Sequence, residues 1–316
     1  MQINSTENDV YQPDTRLLAA INTALFLQRP LLLAGEPGTG KTECADFIAR
    51  RLNDQHPELF KKDAALRYNV KSTSQSGDLF YHYDAVAHFG DKTSLPKESF
   101  INFSSLGLAL LRTNQPDEKL TTFRNYRSGV IKEGTPCGSV VLIDEIDKAP
   151  RDFPNDLLAE FEKPPFKFSI KEIQDMTFTQ DPKRPVIVII TSNNEKSLPD
   201  AFLRRCIFHY IDFPTDAELL KIITGKPIYN DLKGDGKKLI KTAIAKFIEL
   251  RGMAASKRPA TSELIDWITC LNQHQLLNEK LELWSSADPV YRGKLKDSLA
   301  VLAKSKADNE QYTKNL

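Results

Sequence analysis

Residues Gly35, Glu36, Pro37, Gly38, Thr39, Gly40, Lys41 and Thr42 read GEPGTGKT and match the phosphate-binding pattern GxxxxGKT without a gap. The chemistry follows from the residue types. Glycines permit tight backbone dihedrals and leave amide groups free to converge on phosphate oxygens. Lys41 is placed to reach the β- and γ-phosphates, and the Thr42 hydroxyl to ligate magnesium. A following helix adds its positive terminus, so the candidate nucleotide-binding set extends through Glu43. A dinucleotide site is disfavoured, because Gly38 and Gly40 followed by Lys41 and Thr42 do not make GxGxxG. Base identity is not written in this loop.

A second chemically able group lies well downstream, where Val140, Val141, Leu142 and Ile143 lead into Asp144 and Glu145. Asp144 is suited to hold magnesium beside Thr42, directly or through water. Glu145 is suited to polarise an attacking water as general base. Consecutive strand positions face opposite sides, so the two carboxylates are expected to divide the work. Asp147 and Lys148 read as a local surface or helix-start arrangement. Asn193, with Asn194 as the adjacent alternative, follows the apolar run 186–190 and could orient the water or touch the γ-phosphate. Arg204 and Arg205 follow a Leu198-Pro199 turn, where a guanidinium could neutralise a transferring phosphoryl group. Lys257 and Arg258 precede Pro259, and either could report phosphate occupancy to the C-terminal region.

These residues need elements to hold them. The run 31–34, bounded by Pro30 and Gly35, reads as a buried parallel strand. Runs 140–143 and 186–190 have the same character and are rich in β-branched residues. Residues 67–70 offer a further strand, and 106–111 read as helix. Leu17, Leu18, Ile21, Ala24 and Leu25 recur at helical spacing, and residues 42–52 form a helix with Cys44, Ala45, Ile48 and Ala49 on its apolar side. Core strands that end in polar residues imply an α/β sheet with its chemistry at the carboxyl edge. Past residue 214 strand candidates disappear. Leu239, Ile240, Ile244, Phe247 and Ile248 make one apolar helix face, and Leu264, Ile265, Ile268 and Leu271 another. The expected division is an α/β core over 1–214 and a helical domain over 215–316, whose polar end from Lys304 is expected to fray.

Composition narrows the remaining classes. The 316 residues are 41% hydrophobic, which excludes disorder throughout. Lys and Arg number 43 against 42 Asp and Glu, a net charge of +1, and this lends no support to a protein that lives on a phosphate backbone. Cys44, Cys137, Cys206 and Cys270 form no CxxC pair, and His56, His82, His88, His209 and His274 show no zinc-ligand spacing. The polar run 2–9 after Met1 is unlike a secretory signal and no apolar run is long enough to span a bilayer, which points to a cytoplasmic protein. Phe80, Tyr81 and Tyr83 form either an exposed binding loop or a satellite of the core.

Taken in order, GEPGTGKT, VVLIDEIDKAP, IITSNN, LPDAFLRRC and SKRPATSELIDW resemble the AAA+ ATPases, in particular their MoxR-like branch, over residues 15–275. The run 73–89, with Asp78-Leu79-Phe80 and Tyr83-Asp84-Ala85, is similar to that branch, as is Phe166-Lys167-Phe168-Ser169-Ile170. The resemblance implies an αβα P-loop core followed by a helical lid, assembled as a hexameric ring, with ATP and Mg2+ as its cofactors. It implies that Lys41 and Thr42 are Walker A residues, that Asp144 and Glu145 are Walker B, and that Asn193 is sensor 1. Arg205 matches the arginine finger that enters the neighbouring subunit's site, with Arg204 the near alternative. Arg258 matches sensor 2, and Lys257 leaves that register open. The implied activity is chaperone-like remodelling or maturation of a protein complex, with a protein client and a separate protein carrying a von Willebrand factor A domain. Two other readings stay open: an ATP-controlled binding or regulatory module of a larger assembly, and a nucleic-acid-stimulated motor, to which the balanced charge gives no support.

Overall fold

Asp14 opens the first helix, α1 (Thr15–Leu27), by accepting a hydrogen bond from the Leu17 amide at 2.6 Å. Its stripe of Leu17, Ile21, Ala24 and Leu25 is buried, and Gln28, at φ 52°, turns the chain out of the helix before Pro30. The chain then forms β1 (Leu31–Gly35), the glycine loop, and α2 (Lys41–Gln55). The computed structural model describes residues 1–316 except 7–8, 10, 62–63, 116–117, 124–134, 161–163, 175, 227–228, 230–235, 256, 278–287 and 315–316. Parts of the polar runs 2–9 and 304–316, and Ser256 of the SKRPATSELIDW stretch, therefore lie outside the described residues.

After α2 come β2 (Leu66–Asn69), β3 (Tyr81–Tyr83), α3 (Ala85–Gly90), β4 (Ile101–Phe103), α4 (Ser105–Arg112) and β5 (Ser139–Asp144). They are followed by α5 (Phe153–Glu160), β6 (Lys167–Ser169), β7 (Thr177–Thr179), β8 (Val186–Ser192), α6 (Asp200–Leu203) and β9 (Ile207–Ile211). The helices α7 (Asp216–Thr224), α8 (Gly236–Met253), α9 (Thr261–Gln273), α10 (Pro289–Ser298) and α11 (Lys306–Lys314) complete the described strands and α-helices.

Strands β2, β5, β8, β1 and β9 lie side by side in that order, all parallel. Leu31 and Leu32 register with Ile189 and Ile190 on one side and with Ile207 and Phe208 on the other. The inner strands alternate between two cores. Leu31, Leu33, Val140, Leu142, Ile187 and Ile189 pack with Ile21 of α1 and Phe47 and Ile48 of α2. Leu32, Val141, Ile143, Val188 and Ile190 pack on the other face with Leu106 and Leu110 of α4 and Phe153 of α5. Covering both faces explains why these strands read as continuous apolar runs, each such side chain contributing about 1.5–3 kcal/mol on burial. The edge strands β2 and β9 alternate instead between half-buried and exposed. The expected α/β core is thus present, with helices on both sides of a parallel sheet. From β1, which lies between β8 and β9, the chain crosses to β2 at the far edge, and such a reversal opens a crevice at the strand's carboxyl end. The glycine loop leaves β1 there.

Two short antiparallel ladders, β3 with β4 and β6 with β7, stand apart from this sheet. Phe80 is buried and Tyr81 and Tyr83 pack against the same core, so this aromatic group is a core satellite rather than an exposed loop. The His88 ring lies tilted against Phe100, with 4.8 Å between ring centroids.

The chain divides into two compact units, one of Met1–Gly35 with Gly40–Ile211 and one of Glu36–Thr39 with Asp212–Leu316. In the second, Thr215 and Glu218 form a reciprocal cap at the start of α7. Leu219, Ile240, Ile244, Phe247, Leu264, Trp267, Ile268 and Leu271 make its core, and the Trp267 indole donates to Ser298 Oγ at 3.0 Å. One expectation fails here. The polar end does not fray over 306–314: it forms α11, with Tyr312 fully buried in that core. Asp308 accepts hydrogen bonds from the Ala255 amide at 2.7 Å and from Ser305 Oγ, so a mostly polar sequence is fixed by one aromatic ring and one carboxylate. Among the described residues no helix is long and apolar enough to cross a membrane.

Candidate active site

Within the α/β unit Gly40 is the cap residue that enters α2, with φ 85°. A side chain there would be strained, and its first carbon would stand 3.0 Å from the Tyr11 ring. Lys41 is buried, and its ammonium donates to the Gly35 carbonyl at 2.8 Å. Burial pulls its pKa down, opposed by the charges of Asp144, Asp147, Glu145 and Glu43. A cation held this way offers a phosphate a partner that is already stripped of water. Glu43 is exposed in the first turn of α2, while Cys44 is buried beneath and its thiol is pushed up to about 12 by that burial.

Thr42 Oγ1 lies 3.3 and 3.4 Å from the two carboxylate oxygens of Asp144, across 102 residues of sequence. Asp144 also accepts from the Thr191 hydroxyl of β8 at 2.5 Å. A hydroxyl and a carboxylate converging from two elements make an oxygen donor set that suits magnesium, which keeps waters and phosphate oxygens as its remaining ligands. Among the described residues no group of three or more His, Cys, Asp or Glu gathers as a metal cage.

Glu145 does not continue the strand. Its backbone turns to φ 59°, and its amide donates to Thr191 Oγ1 at 2.8 Å. The left-handed turn costs about 1–2 kcal/mol for a residue with a side chain. This turn, rather than alternation along a strand, separates the two carboxylates. Glu145 Oε1 accepts from the Asn193 side-chain amide at 3.2 Å, and its other oxygen pairs with Lys148, whose pKa that bond raises. The structure therefore joins Glu145 to Asn193. Asn194 instead sits exposed in a left-handed turn, its amide donating to Ser192 Oγ at 3.0 Å.

Asp147 stands at a helix start, in the 3₁₀ turn Ile146–Lys148, but not at the surface. It is 2% exposed, and its carboxylate accepts from the Asn193 amide at 3.1 Å and the Glu195 amide at 3.0 Å. Backbone donors where β8 ends need acceptors, and a buried carboxylate supplies them. Asp147 and Thr191 are the residues that reading by motif missed. Their signals were a third acid close behind Asp144 and Glu145, and a threonine closing a run of valines and isoleucines.

Arg204 is exposed, and Arg205 donates from Nη1 to the Ala201 carbonyl at 3.1 Å. No hydrogen bond or ion pair among the described residues joins either arginine to the acids.

In the helical unit, Thr39 Oγ1 donates to the Glu36 carbonyl at 2.9 Å, and Pro37 is exposed. Gly38 has φ 75°, and a side-chain carbon there would lie 2.7 Å from Ala260 Cβ just before α9, so only glycine fits. Arg258 Nη1 stands 4.0 Å from Glu36 Oε1. Lys257 is exposed.

Comparison with known proteins gives one family. The model described as the ATPase family associated with various cellular activities (AAA) matches residues 31–215. Comparison with curated proteins gives no match.

Proposed function

This chain belongs to the AAA family of ATPases, and we propose that within it the chain is a MoxR-like member that couples ATP hydrolysis to chaperone-like remodelling or maturation of a protein complex. Its family carries ATP binding and hydrolysis. The observation that supports the assignment of roles is the contact of Thr42 with Asp144 at the carboxyl edge of the sheet, next to Lys41, which bonds the Gly35 carbonyl. In this reading residues 35–43 hold the triphosphate, and Thr42 and Asp144 hold magnesium. Bound magnesium would neutralise charge on the β- and γ-phosphate oxygens. Glu145 takes a proton from the attacking water, and Asn193 orients Glu145 through its amide. Arg258, on the lid that residues 215–316 form, addresses the γ-phosphate.

Arg205 acts on a neighbouring subunit in a hexameric ring, with Arg204 as its alternative. The exposure of Arg204, the half-buried position of Arg205 with one bond to the Ala201 carbonyl, and the absence of a bond from either to the acids among the described residues support a role outside their own subunit. The MoxR-like branch is supported by the ordered motif series, and the stretches 73–89 and 166–170 that carry the likeness each supply one strand, β3 and β6, to the two small ladders. A protein client and a separate protein with a von Willebrand factor A domain complete the proposal.

Subunit mixing tests it. Arg205→Ala and Glu145→Gln are each expected to be inactive alone, and a mixture of the two to regain turnover, because some sites then combine an intact acid with an intact arginine. No recovery at any mixing ratio would overturn the action in trans. Mass measurement of Glu145→Gln with ATP and magnesium reads the ring directly, and a monomer under these conditions would overturn it.

A further inference from the structure

We propose that Glu36 is a positioning residue: its carboxylate, pinned by the buried Arg251, holds Arg258 on the phosphate loop and so favours a triphosphate over a diphosphate. The inference rests on the ATPase reading above and adds a residue that the GxxxxGKT pattern leaves unspecified.

Arg251 lies in the last turn of α8, with 9% of its side chain exposed. Its guanidinium bonds the Glu36 carboxylate and the Pro259 carbonyl, and it lies 3.6 Å above the centre of the Phe213 ring. A planar cation engaged at its edge by two oxygens and on its face by a ring has little freedom to turn. Glu36 is thereby fixed although 37% of its side chain is exposed. Its other oxygen faces Arg258, whose side chain is 64% exposed. Pro259 directly follows Arg258, so Arg251 also holds the backbone from which that arginine projects.

An exposed pair at 4.0 Å contributes little to stability. What it supplies is location. A mobile guanidinium is kept beside a loop residue instead of sampling the solvent, which lowers the ordering cost when a γ-phosphate arrives as a stronger, charge-assisted partner. A diphosphate lacks that group and gains nothing from the arrangement.

The experiment titrates the full chain with a fluorescent non-hydrolysable ATP analogue and with fluorescent ADP, both with magnesium. Glu36→Gln, Arg258→Ala and the double variant are compared. Glu36→Gln is expected to weaken the triphosphate analogue about fivefold or more and to leave ADP within about twofold. The double variant is expected to bind no more weakly than Arg258→Ala alone, since Glu36 acts through that arginine. An unchanged ratio of triphosphate to diphosphate affinity, an equal loss for both, or multiplying losses in the double variant would each overturn the inference. A folded wild-type chain that binds neither nucleotide would instead overturn the ATPase reading beneath it. The split between the two nucleotides is the readout that a merely structural role would not move.

Discussion

Asp144, Glu145 and Asp147 each accept hydrogen bonds from more than one group, and Thr42, Thr191, Asn193, Glu195 and Lys148 supply them. Arg204, Arg205 and Arg258 are held far more loosely, the second by one carbonyl and the third by a carboxylate at 4.0 Å. The acids come from β5 and the turn after it, so the sheet that carries them also brings their partners. The arginines stand on short or irregular segments. A group that must meet developing charge inside its own fold gains from being fixed beforehand, because nothing then reorganises during reaction. A group that meets a ligand or another subunit has to stay reachable. The contrast between dense and sparse bonding therefore follows the proposed division of labour.

The largest effect that would break this contrast is at Glu145. Glu145→Gln keeps the size and the bond from Asn193 but loses the base, and steady-state hydrolysis is expected to fall about 1,000-fold while affinity for ATP stays within about threefold. Normal hydrolysis would remove Glu145 from its role. Next is Lys41→Ala, for which nucleotide affinity should drop about 100-fold in a fluorescence titration. Its melting temperature without nucleotide should not fall, since a buried, desolvated ammonium is being removed. Asp147→Asn sharpens the comparison from the side of support. It leaves two backbone donors competing for one acceptor, and should cost about 1–3 kcal/mol in denaturant unfolding with about a tenfold loss of turnover. The smallest effects belong to the sparse group: Arg204→Ala and Arg205→Ala should each move the melting midpoint by about 2 °C or less. A larger shift would mean that these arginines are structural after all.

Much of the site was legible because it is written in contiguous residues. GEPGTGKT is one unbroken run from the end of β1 into the start of α2, and VVLIDE announces a buried strand that ends in acids, since a strand covered on both faces must be apolar along its length. The helices around Leu17 and Phe247 were legible from spacing for the same reason. The role of Asp147 was not, because nothing in DEIDK says that its third acid turns inward. That follows from the left-handed turn at Glu145 and from two backbone amides where β8 ends, which take the Asp147 carboxylate as their acceptor. The polar end misled for a related reason: in 306–314, Tyr312 stands fully buried among hydrophilic neighbours, and its value depends on a core made by other helices.

The sequence by itself determined that this chain carries a glycine loop of the phosphate-binding pattern and acids at the end of a buried strand, and follows an α/β region with helices. Backbone freedom, apolar runs and helical spacing are local properties, and a reader of residues can see them. Tertiary structure alone decided that Glu145 meets Asn193, that Asp147 braces the end of β8, and that Glu36 meets Arg251 across 215 residues. Those contacts depend on strand register and chain reversal, which bring distant polar atoms within hydrogen-bond reach and leave no trace in the spacing of either partner.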